Sequence, residues 1–214
     1  MIKVVSLDLE GTLIDLRFSD LVWNEGIPRL YSEQRGIDFS EAKRIVLNEY
    51  QKIGEGRREW YDIKFWFKRF GLKDDWRSVM ERYRSELRVY PEVHEVLDFL
   101  KRKYRLALLS NSAREFIEFA LEVIGDPFEI VFSASSDFHT LKKSTDFYRE
   151  ACETLKVSPS EMAHVGDHYE FDFLVPKRLG ILSFYLDRSG NSSGRWVVKD
   201  LREFKHRILE VDVR

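Results

Sequence analysis

The sequence predicts an α/β protein in which a parallel sheet carries helices on both faces and is interrupted by an all-helical insert. Two observations lead to this fold class. Five short, mostly apolar runs recur along the 214 residues and are separated by stretches with helical periodicity, which is typical of strands buried on both faces of a parallel sheet. One long interval contains only amphipathic helical patterns, so it is predicted to form a separate helical domain.

The predicted strands are continuous apolar runs bounded by polar or turn residues. They cover Lys3 to Asp8, Arg105 to Ser110, Glu129 to Ser133, Met162 to Gly166 and Leu182 to Leu186.

Helix-start signals lie between these strands. Pro91 suits the first turn of a helix, where its missing N–H costs no hydrogen bond. The segments Ser112 to Glu115 and Ser158 to Glu161 both have the spacing of a capping box and predict two further helices, with Ser112 interpreted as an N-cap. Another helix is predicted around Asp146 to Leu155.

The helical insert is predicted between about Ser19 and Leu87. Its amphipathic segments are Glu41 to Ile53, Arg58 to Phe70 and Asp75 to Leu87. The predicted domains are therefore an α/β core over 1–17 and 88–214 and a helical domain over 18–87. Such an insert is expected over the carboxyl end of the sheet, where open α/β folds bind ligands, and it is interpreted as a lid.

Composition excludes several classes of protein. With 43% hydrophobic and 34% charged side chains, the chain can form a sizeable core and is not a disordered tail. A formal net charge of -2 gives no overall field that selects nucleic acid or an anionic membrane. The single cysteine, Cys152, excludes an internal disulfide and a thiolate zinc cluster. With no recognisable signal peptide or membrane span, we expect a soluble, cytoplasmic protein, and the abundance of Lys, Arg and Glu favours a thermophilic source.

The first candidate site follows the first strand, in the segment Asp8-Leu9-Glu10-Gly11-Thr12. Alternation places Asp8 and Glu10 on the same side of an extended backbone. Two acids at the end of a buried strand are costly unless a cation or hydrogen bonds compensate them, and Gly11 allows a ligand to approach the backbone closely. Taken alone, the segment is equally typical of an ordinary acidic strand end.

Later segments strengthen the functional interpretation. Ser110 and Asn111 end a strand just before a helix start, where free N–H groups favour an anion such as phosphate. Lys142 and Lys143 form a basic pair ahead of the next helix. Asp167 follows another strand, so that it and Asp172 place two more carboxylates near a strand end.

Together these segments resemble, in the right order, the four motifs of the haloacid dehalogenase superfamily of aspartyl-phosphate-forming hydrolases. Asp8 to Thr12 is similar to the first motif, Ser110 to the second, Lys142 to the third, and Gly166-Asp167 with Asp172 to the fourth. The resemblance spans the whole chain and implies a Rossmann-like parallel sheet. It also places the helical insert where the first type of cap domain lies in this family.

The resemblance implies a magnesium-dependent phosphomonoester hydrolase of the phosphatase-like branch. Asp8 would form a covalent aspartyl phosphate, and Glu10 would act as general acid and then as base. Mg²⁺ would be held by Asp8, by Glu10 through its backbone carbonyl, and by Asp167, while Asp172 would bind the ion through water or orient the lysine.

The resemblance also implies a phosphate-binding group and a partner. The phosphate-binding residues would be Gly11, Thr12, Ser110, Asn111 and Lys142, with Lys142 also catalytic. The partner would be a small phosphorylated metabolite rather than nucleic acid or a membrane, and neither its identity nor the oligomeric state is indicated by the sequence.

Two positions depart from the family's pattern. Glu10 stands where the family usually has Asp, and its side chain is longer by a methylene group, which leaves its backbone carbonyl unaffected. The third motif commonly has Lys followed by Pro, whereas Lys142 is followed by Lys143. Register against Phe147 and Tyr148 favours Lys142, and Lys143 stays the alternative.

Two other functions compete with the phosphatase. In a 2-haloacid dehalogenase, Asp8 would displace halide from carbon without a metal, and those enzymes typically carry an aromatic residue two positions after the nucleophile. Glu10, Asp167 and Asp172 favour phosphoryl transfer instead. A non-catalytic binding protein on the same fold would be expected to lose a charged site residue, whereas the chain keeps them with one conservative change.

The insert and the histidines give weaker signals. Aromatic residues at helical spacing in the insert are expected to form its core, and Arg57 or Arg58 is hypothesised to contact the substrate. His139, His164 and His168 lie near the later motifs, but their spacing does not indicate a metal cluster, and His168 is interpreted as a loop residue.

Overall fold

The computed structural model describes residues 1–54, 56–138, 140 and 142–212, with nothing stated for the side chain of Asp212. The chain divides into two compact units. One comprises Met1–Ile14 and Val89–Arg214, and the other comprises Asp15–Arg88. The predicted helical insert, 18–87, lies within the second unit, and its function as a cap stays a prediction.

A six-stranded parallel sheet forms the centre of the first unit. In chain order its strands are β1 (Val4–Leu7), β2 (Arg105–Ser110), β3 (Ile130–Ser133), β4 (Met162–Gly166), β5 (Leu182–Leu186) and β6 (Val197–Val198). The strand order is β3-β2-β1-β4-β5-β6, and every neighbouring pair is parallel. From β1 the strands are added on one side as far as β3, and β4 to β6 are then added on the other side of β1. Open α/β folds bind ligands beside the carboxyl ends of the strands at such a switch point.

This sheet confirms the predicted Rossmann-like α/β class. All five predicted strands are present, and the structure adds a sixth, Val197–Val198, which has only two residues. So short a strand leaves no periodic pattern for sequence analysis to detect.

The described residues contain ten α-helices. The second unit contains α1 (Arg17–Leu21), α2 (Ile27–Arg35), α3 (Phe39–Ile53), α4 (Ile63–Phe70) and α5 (Trp76–Arg82). The first unit contains α6 (Val93–Leu100), α7 (Arg114–Ile124), α8 (Thr145–Leu155), α9 (Val175–Leu179) and α10 (Leu201–Asp212). A π-helical segment, Tyr169–Leu174, precedes α9.

Helices cover both faces of the sheet. On one face, Val4 and Leu109 pack in a buried cluster with Phe147 of α8. On the other face, the ring of Phe184 in β5 lies 5.2 Å from that of Phe204 in α10, centroid to centroid. Burial on both faces explains why the strand sequences are continuously apolar.

The predicted helix starts are partly corrected. Helix α6 begins at Val93, two positions after Pro91, with Glu92 as its N-cap. The Ser158–Glu161 capping box is present, but it closes a single 3₁₀ turn, Pro159–Glu161, rather than an α-helix. The prediction for Ser112 is wrong, because Ala113 is the N-cap of α7 and makes no side-chain cap hydrogen bond.

Aromatic side chains form the core of the helical unit. Trp66 is fully buried and Tyr50 nearly so, and their ring centroids lie 4.6 Å apart in an edge-to-face contact. Arg57 donates to Glu59 over 2.7 Å, while Glu55 in the same loop lies outside the described residues.

In the part of the chain that the structure describes, no helix combines the length and apolar character needed to cross a bilayer.

Candidate active site

Three carboxylates converge at the carboxyl edge of the sheet. Asp8 follows β1, Asp167 follows β4, and Asp172 lies in the π-helical segment that comes next. One oxygen of each lies within 4.8 Å of the others. Asp8 and Asp172 are buried and Asp167 is half-buried. Because β1 and β4 are parallel neighbours, their carboxyl ends meet at one edge and bring these acids together.

Two glycines make room for this cluster. Gly11 has a positive φ of 77°, and a Cβ at this position would lie 2.0 Å from Oδ2 of Asp167. A Cβ at Gly166 would lie 2.4 Å from Cγ of Asp172. A side chain at either position would therefore displace a carboxylate.

The structure places Lys143 rather than Lys142 in the cluster. Lys143 is 1% exposed, and its Nζ donates to Oδ1 of Asp8 over 2.6 Å and to the carbonyl oxygen of Leu109 over 3.1 Å. It also forms an ion pair with Oδ1 of Asp172. These three acceptors match the three N–H groups of the ammonium.

Lys142, the predicted motif lysine, is exposed, and its Nζ lies 4.9 Å from the ring centroid of Phe171. The correction has a local cause. The chain is irregular before α8, so neighbouring side chains do not follow a helical register there. Asn111 fixes the choice by accepting a hydrogen bond from the backbone N–H of Lys143 over 2.8 Å. The amide of Asn111, predicted to bind phosphate, thus holds the lysine.

A buried polar network of residues from β1, β4 and α8 holds Asp172, and sequence analysis missed it. His164 Nε2 lies 3.1 Å from Oδ1 of Asp172 and 3.0 Å from the hydroxyl of Tyr148. His164 Nδ1 lies 2.8 Å from Oγ of Ser6. The hydroxyl of Tyr148 donates to the carbonyl of Phe171 over 2.8 Å. The available signal was the presence of Ser6 and His164 inside otherwise apolar strands.

His168 lies beside the cluster and contacts it through its backbone. The backbone N–H of His168 donates to Oδ2 of Asp172 over 3.0 Å, and its ring stacks on that of Phe171 at 4.2 Å between centroids. His139 lies outside the described residues.

Burial and mutual repulsion set the charges of the cluster. Burial raises the pKa of Asp8 well above its ordinary value, Lys143 offsets part of this, and the neighbouring carboxylates add to it. Burial and the charge of Asp172 raise the pKa of Asp167 to about 6. Burial opposes ionisation of Asp172, but the charge of Lys143 and a hydrogen bond from His164 outweigh it, so the pKa of Asp172 is lowered.

Lys143 keeps its charge in this environment. Burial opposes the charge, but the attraction of Asp172 and Asp8 outweighs it and raises the pKa of Lys143. Burial lowers the pKa of His164, so its ring is neutral at neutral pH. The cluster thus contains three carboxylates and one ammonium, and the pKa values of Asp8 and Asp167 are raised first by burial and further by the neighbouring carboxylates.

Glu10 lies beside this cluster and contacts a serine. It is half-buried, and its Oε2 accepts a hydrogen bond from Oγ of Ser112 over 2.7 Å. The negative charge of Glu10 contributes to the raised pKa of Asp167. Ser110, at the end of β2, is 1% exposed, and its Oγ accepts a hydrogen bond from the backbone N–H of Ser112 over 3.2 Å.

The turn after Asp8 is anchored by an arginine that no sequence motif indicated. The guanidinium of Arg188 donates to the carbonyl oxygens of Gly11 and Thr12 over 3.1 and 2.7 Å. It also donates to Glu92 over 2.8 Å and lies 3.5 Å from the ring centroid of Tyr90. The turn that carries the first motif is thus tied to the loop after β5.

Thr12 differs from the other predicted phosphate-binding residues. Its side chain is fully buried, and its hydroxyl has no hydrogen-bond partner among the residues that the structure describes. Gly11 contributes its backbone to the turn, with its N–H donating to the carbonyl of Ile14 over 2.7 Å.

The donor set fits a hard divalent cation. Asp8, Asp167 and Asp172 offer carboxylate oxygens, which are the ligands that Mg²⁺ prefers. A cation here would favour the ionised forms of Asp8 and Asp167, whose pKa values are raised in its absence. Among the described residues, the side-chain cluster does not include the carboxylate of Glu10, and the role of its backbone carbonyl as a ligand stays a prediction.

Comparison with known proteins adds relatives of several kinds. A glyceraldehyde 3-phosphate phosphatase of Pyrococcus abyssi (strain GE5 / Orsay) is 26% identical over 193 residues, which cover 85% of this chain and 79% of that protein. The GMP/IMP nucleotidase YrfG of Escherichia coli (strain K12) is 28% identical over 71 residues, or 33% of this chain. That match spans 32% of the nucleotidase, about a third of its length.

Solved structures and a family model complete the comparison. A HAD phosphatase from Thermococcus onnurineus has a TM-score of 0.80 and 24% identity, covering 97% of this chain and 98% of the other. A 2-haloacid dehalogenase from Pseudomonas syringae pv. Tomato DC3000 has a TM-score of 0.70 and 19% identity, covering 99% and 100%. At these identities the two likenesses show the fold alone. The model of the haloacid dehalogenase-like hydrolases matches residues 2–180, most of the chain, and the protein therefore belongs to that family.

Proposed function

We propose that this hydrolase is a magnesium-dependent phosphatase that cleaves phosphomonoesters through an aspartyl phosphate on Asp8. The observation that supports this most directly is the set of charges around Asp8. One of its oxygens binds the Lys143 ammonium, and Asp167 and Asp172 each bring a carboxylate oxygen within 4.8 Å of an oxygen of Asp8. Glu10 provides a nearby acid.

The first chemical step forms a bond from a carboxylate oxygen of Asp8 to phosphorus. The bond from phosphorus to the ester oxygen breaks, and the leaving oxygen takes a proton from Glu10. In the second step water attacks the phosphorus, Glu10 accepts a proton from it, and the bond to Asp8 breaks. Inorganic phosphate leaves, and both side chains return to their starting states.

Lys143 and Ser110 support these steps. The ammonium of Lys143 holds Oδ1 of Asp8 in place and reduces repulsion between this carboxylate and the phosphoryl oxygens. Ser110 ends the neighbouring strand β2. Its hydroxyl, which donates to Oγ of Ser112 without substrate, would turn its single proton to a phosphoryl oxygen when substrate binds. Bound Mg²⁺, held by Asp8 and Asp167 with Asp172 nearby, would supply positive charge to the phosphoryl group.

The relatives support small phosphorylated substrates. One is named for a triose phosphate and another for two nucleoside monophosphates. Both kinds are phosphomonoesters of small alcohols, and we propose the same class of partner for this chain, with no role for nucleic acid or a membrane.

Dehalogenation is the second candidate, since a 2-haloacid dehalogenase shares the fold. A carboxylate at position 10 and a cluster that fits a cation argue against it, because displacement of halide from carbon needs neither. The deciding experiment incubates purified protein with a panel of sugar phosphates, nucleoside monophosphates and 2-haloacids, with Mg²⁺ or with EDTA. We expect phosphate release only with Mg²⁺. Halide release in EDTA, with no phosphate release from any ester, would reverse the assignment.

The stabilisation that Mg²⁺ gives the protein should depend on pH. The pKa of Asp167 is raised from 3.8 to about 6, so the metal-free folded protein retains a proton that the unfolded chain releases at lower pH. The stability that this retained proton gives the metal-free folded state is therefore lost as the pH rises through the Asp167 pKa of about 6. Mg²⁺ binds the ionised carboxylate, so protonation of Asp167 alone should lower the affinity for Mg²⁺ by up to about tenfold per pH unit below about 6, and protonation of Asp8 would add to this loss.

Thermal unfolding with Mg²⁺ and with EDTA at each pH measures this dependence, since the difference cancels groups remote from the metal. We expect the Mg²⁺-induced increase in Tm to be large at neutral pH and to shrink as the solution is acidified. Asp167→Asn should remove most of the increase at every pH. A constant increase through mildly acidic pH would contradict the assignment of Asp167 as a ligand.

A further inference from the structure

Ser112 has a hydrogen bond that the proposed mechanism does not yet use. It lies between β2 and α7, and its hydroxyl donates to Oε2 of Glu10 over 2.7 Å. The hydroxyl of Ser110 donates to Oγ of Ser112 over 3.2 Å. A continuous chain of hydrogen bonds therefore connects the proposed phosphate-binding serine with the proposed acid–base residue.

The backbone of Ser112 is held independently of Glu10. Its carbonyl accepts a hydrogen bond from Oγ of Ser133 over 2.7 Å, and Oγ of Ser133 in turn accepts from the backbone N–H of Ser136 over 3.0 Å. The hydroxyl of Ser136 accepts from the backbone N–H of Arg114 over 3.0 Å. Ser112 is therefore a fixed donor, and the longer side chain of Glu10 is the group that it orients.

The length of Glu10 matches this arrangement. An aspartate at the same backbone position would be shorter by one methylene group, or about 1.5 Å along the chain. With its carboxylate drawn back by that distance, a hydrogen bond of 2.7 Å to Ser112 would be lost. Glu10 and Ser112 thus form a matched pair.

We propose that Ser112 is a positioning residue for the general acid, aligning Glu10 to protonate the leaving oxygen of the substrate. This inference rests on the proposed phosphatase function and deepens it. Ser112 keeps its own proton throughout and donates to Oε2, so Oε1 of Glu10 gives the proton to the leaving group. In the second step Oε1 takes a proton from the attacking water.

The test compares two leaving groups. p-Nitrophenolate is stable as an anion and needs little protonation, whereas the alkoxide released from glycerol phosphate needs a proton. The measured quantity is kcat/KM, because it reports the step in which the ester bond breaks. Ser112→Ala should lower kcat/KM for glycerol phosphate by about 10- to 100-fold and that for p-nitrophenyl phosphate by less than about threefold. Glu10→Gln should show the same preference more strongly.

Three further variants separate positioning from structural damage. Ser112→Thr keeps a hydroxyl and should restore most of the wild-type ratio between the two substrates. Ser135→Ala removes another buried hydroxyl of this region, one that lies 3.2 Å from Oγ of Ser133, and should leave the ratio unchanged. In a Glu10→Asp background, adding Ser112→Ala should change the ratio little, because the shorter carboxylate does not reach Ser112.

The outcomes distinguish this inference from the proposed function. An equal loss with both substrates in Ser112→Ala, or no loss with either, would overturn the positioning role. Absence of phosphate release by the wild-type protein from every ester would instead overturn the proposed function.

Discussion

Replacing Asp8 with Asn should abolish phosphatase turnover, with kcat falling by at least about 10⁴-fold. The amide is nearly the same size as the carboxylate but lacks the anionic oxygen that attacks phosphorus. Rapid acid quenching of the wild-type protein with substrate should trap a phosphoryl group on the peptide that contains Asp8, detected by mass spectrometry. Asp8→Asn should show no such adduct.

The fold should tolerate this change. Burial, followed by the charges of Asp172 and Asp167, raises the pKa of Asp8, so a neutral amide avoids the cost of a buried charge while Lys143 keeps Asp172 as a partner. We expect the Tm of Asp8→Asn in EDTA to equal or exceed that of the wild type. Asp98→Asn, on the exposed face of α6, is the matched control and should keep full activity. Turnover by Asp8→Asn within tenfold of wild type would exclude Asp8 as the nucleophile.

The second large effect is expected from two adjacent lysines. Lys143→Met should lower kcat by about 10²- to 10³-fold, because it removes a preorganised positive charge from the site. It should also lower the free energy of unfolding by about 3 to 5 kcal/mol, since buried Asp8 and Asp172 lose their partner. Lys142→Met, which changes an exposed side chain, should leave kcat and Tm nearly unchanged.

Phosphate release and thermal unfolding of the two variants measure this difference directly. Should Lys143→Met fold poorly, Lys143→Arg retains the charge with a different shape and should fold while still losing much of kcat. The reverse pattern, with Lys142→Met inactive and Lys143→Met active, would restore the assignment made from the sequence.

The lysine pair shows where sequence reasoning reached its limit. Strand ends and the polar residues that follow them are visible as local patterns, and the structure brings Asp8, Asp167 and Asp172 of the predicted segments together. Choosing between neighbouring lysines requires knowing how an irregular segment turns before α8. The decisive contact, from the N–H of Lys143 to Asn111, joins residues from separate parts of the chain.

Ser112 illustrates a different difficulty. Its spacing to Glu115 matches a capping box, yet the side chain bonds Glu10 instead. A serine hydroxyl serves equally well in either place, and only the three-dimensional neighbourhood decides. The contact between Arg188 and the turn after Asp8 could not be predicted from the sequence, because its partners Gly11 and Thr12 are far away along the chain.

The central place of β1 in the sheet has a consequence for biosynthesis. Val4 pairs with Arg105 on one side and with Met162 on the other, so β1 leaves the ribosome about 100 residues before its first sheet neighbour exists. The ion pairs from Lys143 to Asp8 and Asp172 form later still. A nascent chain that ends before β4 therefore exposes an apolar strand and has no complete site. Catalytic competence should emerge only after the segment through Asp172 has been synthesised and has folded onto the sheet, which makes activity a sensitive reporter of complete folding of this unit.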